Sequence, residues 1–338
     1  MRILGWAARG AAWLATGLLF LGTAAWAVLA IYYSNLPGAL WRTAAAIVFG
    51  GGSLALFALT RSWRRALQGY VILLAMVVAW WSAIPASNDR DWQPDVAVLP
   101  SATIEGDRVT LHNIRNISYR SETDFTPRYY DKTFDLRKLD AVDLIAVYWM
   151  GDAIAHTMLS FGFEGDYVTF SIETRKERGE GYSAIKGFFK QYELIYVAGD
   201  ERDLIRVRTT FRRPPEDVYL YQARVVPQRA RSLFLEYLDE INRLTREPAW
   251  YNTLTTNCTT DIIRNLRLAG GTIPRSWKIL LSGYLPEYVY ERGGLDTSLP
   301  FPELRRRSLI NDRARAADQD PAFSLRIREG LPERPHAR

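Results

Sequence analysis

The sequence predicts an α+β protein, with three transmembrane helices followed by an exported domain built on a central antiparallel sheet. Three observations carry this reading. The opening segment holds three apolar stretches and no acidic residue, the middle holds alternating and β-branched runs, and two amphipathic helical patterns follow them. The first 86 residues contain six arginines (Arg2, Arg9, Arg42, Arg61, Arg64 and Arg65), so the remaining 252 of the 338 residues carry 37 basic and 37 acidic side chains. The net charge of +6 thus belongs to the membrane segment, and a nucleic-acid partner has no support.

Taken in order, Ala11 to Tyr33, Thr43 to Thr60 and Leu67 to Ile84 each approach the ~20 residues that a helix needs to cross the hydrocarbon layer. The first run is longer than the apolar region of a secretory signal and is followed by two more, so it reads as an uncleaved helix. Arg2 and Arg9 precede the first span, Arg42 stands alone after it, and Arg61, Arg64 and Arg65 separate the second from the third. The excess of basic residues then holds the N-terminus and the second loop in the cytoplasm, and three crossings deliver everything after about Ser87 to the other side. Trp80 and Trp81 suit the interfacial belt at that exit. With no ionisable residue in their centres, the spans read as an anchor, residues 1–86.

A polar linker, 87–104, leads to the domain proper, 105–303. Strands are expected at Arg108 to Arg120, Asp140 to Trp149, Ala155 to Phe163, Tyr167 to Thr174, Tyr192 to Ala198, Leu204 to Thr210 and Val218 to Val225. Glu164-Gly165-Asp166 marks a hairpin, with Gly165 and Asp166 as a type II′ tip. Gln228 to Glu247 carries Leu233, Phe234, Tyr237, Leu238, Ile241 and Leu244 on one helical stripe, stopped by Pro248. A second helix begins near Cys258, buries Ile262, Ile263 and Leu266, and stops at Gly270-Gly271. The extension 304–338, rich in Arg, Asp and Ala, reads as a solvated tail.

Cys258 is the only sulfur nucleophile, so no internal disulfide can form, and no CxxC or Cys/His cluster offers a zinc site. Its place at a helix start is chemically pointed, because free amides and the positive end of the macrodipole stabilise a thiolate and an oxyanion. The bland alternative is a small buried apolar cysteine. A thiol nucleophile needs a base, and His156, at the start of a predicted strand, is the preferred one over His112, whose surroundings read as a pairing strand. His336 lies near the chain's end. With the tip at Gly165-Asp166, Ser171 and Glu173 share the face of His156, which makes Glu173 the preferred group to orient the imidazole. No phosphate-cradling glycine loop and no HExxH is present, so no cofactor is implied.

Arg115-Asn116, Tyr119-Arg120, Ala155-His156-Thr157, Ser171-Ile172-Glu173-Thr174-Arg175, Trp250-Tyr251-Asn252 and Asn257-Cys258-Thr259-Thr260 together give the chain a family likeness. In these residues it resembles the periplasmic domain of the bacterial Lnb lipoprotein N-acyltransferases, over about residues 105 to 330. The resemblance implies a permuted papain-like (NlpC-type) fold in which the histidine precedes the cysteine. It also implies an inner-membrane protein with a periplasmic domain, Cys258 as acyl-accepting nucleophile, His156 as its base, and a lipoprotein or other lipid-linked substrate. The resulting expectation is a membrane-anchored thiol enzyme for acyl transfer or hydrolysis. The alternatives are a cell-wall amidase or peptidase, and a non-catalytic tethered binding domain.

Overall fold

A computed structural model describes residues 2–332 and 334. The chain divides into two compact units, Met1–Ala86 with Ser183–Gln191, and Ser87–Tyr182 with Tyr192–Arg338.

The first unit holds α1 (Arg2–Tyr32), α2 (Ala39–Leu59) and α3 (Trp63–Ser82). Gly10–Tyr32, Ala39–Leu59 and Trp63–Ser82 are each long and apolar enough to cross a membrane. Their small contact core of Ala27, Ile31, Ala46, Phe49 and Tyr70 leaves Leu18, Leu19, Ile47 and Leu54 facing outward. That pattern suits lipid, where outward apolar side chains cost nothing and helices meet through small residues. Thr23 Oγ1 and the Tyr70 hydroxyl, 2.7 Å apart, join α1 to α3. Residues 183–191, expected inside the exported domain, cluster instead with these helices. Phe189 stacks on Tyr33 with ring centroids 5.6 Å apart. Lys190 Nζ donates to the carbonyls of Trp81, Ser82 and Ile84 at 2.9, 3.0 and 3.1 Å, where α3 ends.

The second unit opens with β1 (Ser101–Glu105), β2 (Arg108–Arg115), the short β3 (Ser118–Tyr119) and β4 (Phe125–Thr126), and β5 (Tyr129–Asp135). β6 (Leu139–Tyr148), β7 (Ala155–Phe163), β8 (Asp166–Arg175), β9 (Glu193–Gly199) and β10 (Asp217–Gln222) complete the strands, with α4 (Glu201–Leu204) between the last two. Eight of them form a sheet in the order β1-β2-β9-β8-β7-β6-β10, with β5 also on β2, while β3 pairs with β4 separately, and all pairs but β2·β9 are antiparallel. The linker region is thus part of the fold, since it supplies β1 and buries Trp92 and Val96.

Alternation along the strands divides the core into two. One face presents Leu144, Leu159, Phe161, Phe170 and Tyr196 to α5 (Pro227–Arg246) and α6 (Cys258–Leu268). After α7 (Trp277–Leu280), α8 (Leu285–Glu291) covers the same face. The other face presents Ile145, Val147, Met158, Ile195 and Val197 to Leu204 and Ile205 and to the C-terminal segment. That segment folds as α9 (Phe301–Ser308), α10 (Asn311–Ala316) and α11 (Phe323–Arg326). It is not the solvated tail that its composition suggests, because Ile310, Phe323 and Ile327 are fully buried. Arg328 seals it, pairing with the buried Asp143 at 2.8 Å and Glu201 at 2.6 Å.

Two further expectations are corrected. Leu204 to Thr210 is no strand, since α4 ends at Leu204 and Val207–Phe211 winds as a π-helical turn. The β7–β8 tip is Glu164-Gly165, with φ of 51° and 97°, which is a type I′ turn, and Phe163 pairs with Asp166. The register is displaced by two residues from the expected one. A two-residue displacement preserves the face each side chain takes.

Candidate functional site

Cys258 is the first residue of α6. Asn257 caps the helix, its Oδ1 accepting from the Thr259 and Thr260 amides at 3.0 Å each, while Thr260 Oγ1 accepts from the Asn257 amide at 2.9 Å. This capping box uses up two first-turn donors, and among the described residues the Cys258 amide has no acceptor. The half-buried sulfur lies 3.9 Å from Thr259 Oγ1 and packs against the core of α5 and α6. Tyr182 and Tyr251 share a hydrogen bond and lie close enough for a charge on Cys258 to act on both. Burial, then that charge, pushes both phenols above the ordinary tyrosine value, so each keeps its proton.

His156 belongs to a different cluster. Its Nε2 is 2.7 Å from Ser171 Oγ, and Ser171 Oγ donates to Glu173 Oε1 at 2.7 Å. Because the serine proton goes to the carboxylate, Nε2–H donates to Ser171, which leaves Nδ1 as the lone-pair nitrogen. Glu173 Oε1 stands 3.9 Å from Nε2 and accepts from Arg208 at 3.1 Å. Burial disfavours a charged Glu173, but Arg208 and then Arg115 outweigh it and hold the carboxyl below its usual range. Burial, followed by the nearby Arg208, drives His156 down to about 3, so its imidazole is neutral.

The expected meeting of Cys258 and His156 is not formed. Adjacent residues of a strand point to opposite faces, and it is Thr157 that looks toward α6, its Oγ1 lying 3.1 Å from Thr259 Oγ1. His156 looks the other way, with Ser171 and Glu173, onto the face that carries Arg208. A partly buried carboxylate is held charged by a neighbouring cation, and the buried Arg208 supplies it there. His112, on β2, bonds Asp131 at 2.7 Å and Thr103 at 3.1 Å, with β9 and β8 standing between it and β7 in the sheet order. His336 lies outside the described residues.

Sequence reasoning missed Arg208 and Tyr182. Arg208 sits in the segment misread as a strand, and the role of Tyr182 depends on a fold contact that no local pattern encodes. Arg115 and Tyr119 meet at Asp203, the arginine through paired bonds of 3.0 Å and the tyrosine at 3.2 Å, bracing the loop after β2.

Three apolar helices joined to this sheet define a membrane protein that carries an α+β domain. Residues 125–283 match the family model described as the Lnb N-terminal periplasmic domain, which together with the three apolar helices fits a membrane protein with a periplasmic domain. The matched span includes His156, Glu173 and Cys258. No curated protein and no solved structure matches the chain.

Proposed function

We propose that the chain is a membrane-anchored thiol enzyme that transfers or hydrolyses acyl groups, with Cys258 as nucleophile and no direct part for His156. The observation that carries this reading is Cys258 at the head of α6, where its own unbonded amide is available to an oxyanion. A phenol proton left over from the Tyr182–Tyr251 bond can also be donated to the sulfur anion. The thiolate attacks an ester carbonyl, a C–S bond forms, the C–O bond breaks, and the leaving oxygen takes a proton from water. An amine then attacks the thioester, giving an amide and the free thiol, or water gives the acid.

A lipoprotein or other lipid-linked substrate fits the anchor, which concentrates the domain beside the bilayer and lowers the affinity it needs. The arginine distribution supports a cytoplasmic N-terminus and a periplasmic domain at the bacterial inner membrane. The separation of Cys258 from His156 favours a second reading, a tethered binding domain without catalysis.

The test uses the full chain in liposomes that contain phospholipid with a radiolabelled acyl chain. Label released by hydroxylamine is expected on the wild type, absent in Cys258→Ala, and retained in His156→Gln. No label on the wild type would favour the binding domain. Loss of label in a folded His156→Gln protein would mean that the two residues meet after rearrangement, against the present reading. Cleavage of stem peptides in the absence of lipid would point to a peptidase.

A further inference from the structure

Between the sheet and the helices that cover its α5 side lies a cavity of about 240 Å³. Leu144, Leu159, Leu233, Ile262, Leu266 and Val289 give it an apolar wall. Apolar surface of that kind, left to water, is favourably covered by an apolar guest. Its polar lining is one-sided: Arg224, Arg229 and Arg292 belong to it, and no acidic residue does. Among the described residues none of the three has a carboxylate partner, although most arginines of this domain do. The Nε of Arg224 is buried without an acceptor from the protein, and among the described residues no ion pair satisfies this guanidinium from another side chain, so it is free to meet an anion. The Arg224 amide is fixed by the Gly294 carbonyl at 2.8 Å, so the backbone that carries this arginine is tied to the turn after α8.

We propose that this cavity binds one alkyl chain bearing an anionic head group, carboxylate or phosphate, with the chain among the apolar side chains and the head on Arg224, Arg229 and Arg292. Guanidinium forks match both head groups, and the desolvated Arg224 gains most from them. The site does not rest on the thiol chemistry, because its lining includes Ile262, Ile263 and Leu266 of α6 but not Cys258.

The test is photo-labelling of the full chain, in nanodiscs of zwitterionic lipid, by decanoate carrying a diazirine on its tail. Cross-links are expected on Leu233, Leu266 and Val289, displaced by decanoate and by decyl phosphate but not by decanol. Labelling should fall about tenfold in Arg224→Gln with Arg292→Gln, as removal of a charge-assisted contact implies. Arg292→Gln alone, at an exposed position, gives a smaller loss in a protein whose folding is untouched. A phospholipid with the same diazirine on its acyl chain separates bilayer lipid from free acid as the source. Equal displacement by decanol, or labelling unchanged by the arginine substitutions, would overturn the proposal. Labelling is read without turnover, so an inert Cys258 leaves the result unaffected.

Discussion

At His156 the consequence of burial is measurable as a pH effect. The folded histidine binds a proton only near pH 3, whereas the unfolded one does so near 6.5. The unfolded state therefore takes up protons first, and stability held above about pH 6.5 is lost as the pH falls toward 3. The difference in unfolding midpoint between wild type and His156→Gln should narrow across that window; a constant difference from pH 7 to 4 would refute the assigned neutral state. Asn257 gives a second prediction at this scale. Asn257→Ala orphans the Thr259 and Thr260 amides together and should cost ~1 kcal/mol in a denaturant titration. The histidine also shows what local sequence conveys and what it withholds. Counting along the β7–β8 hairpin puts His156, Ser171 and Glu173 on one face whichever of the two tips is taken. Nothing in that count says which face α6 covers, so the partner of the cysteine was not legible.

Among the elements, those with a strong period were readable. The stripe on α5 and the cap, apolar run and Gly270 stop of α6 appear where the side chains demand them. Leu204, Ile205 and Val207 were misread because a short buried apolar run looks the same in a strand and in a tight helical turn. The C-terminal helices were unreadable for another reason. Their few apolar side chains are spread over three short helices, and Arg328, just beyond the last of them, is buried in pairs formed with residues far away in the chain. Arg328 is the test of that account. Arg328→Ala leaves Asp143 and Glu201 without this partner in the interior, and a loss of ~3–5 kcal/mol is expected by chemical denaturation. A loss near zero would show that the segment is only loosely attached. Gly283 offers an independent check on the α7–α8 connection, since a Cβ there would stand 2.0 Å from the Asp152 carbonyl oxygen. Gly283→Ala should destabilise the domain by ~1–3 kcal/mol, by strain in the backbone rather than by any lost contact.

For the whole molecule, the membrane assignment follows from composition alone, because three long apolar helices free of acidic residues have no other economical solvent. It predicts that the protein stays with the membrane in high salt and leaves it only in detergent. With the proposed orientation, a membrane-impermeant maleimide should reach Cys258 from the periplasmic side of intact spheroplasts, and modification only after lysis would reverse the topology. The return of residues 183–191 to the helices could not be foreseen, since Phe189 and Lys190 resemble ordinary loop residues until Tyr33 and the end of α3 are beside them.

Arg328 and the helices before it have a bearing on biogenesis. A chain is threaded across a membrane from its N-terminal side, so the strands of the sheet emerge well before residues 309–328. Until those residues arrive, Ile145, Val147 and Val197 are covered only in part, by Leu204 and Ile205, and Asp143 and Glu201 lack their guanidinium. With the proposed orientation, a half-translocated copy displays a greasy, acid-spotted sheet, the sort of surface that periplasmic chaperones hold and quality-control proteases cut. Yield in the cell should accordingly depend on how fast the last stretch is delivered.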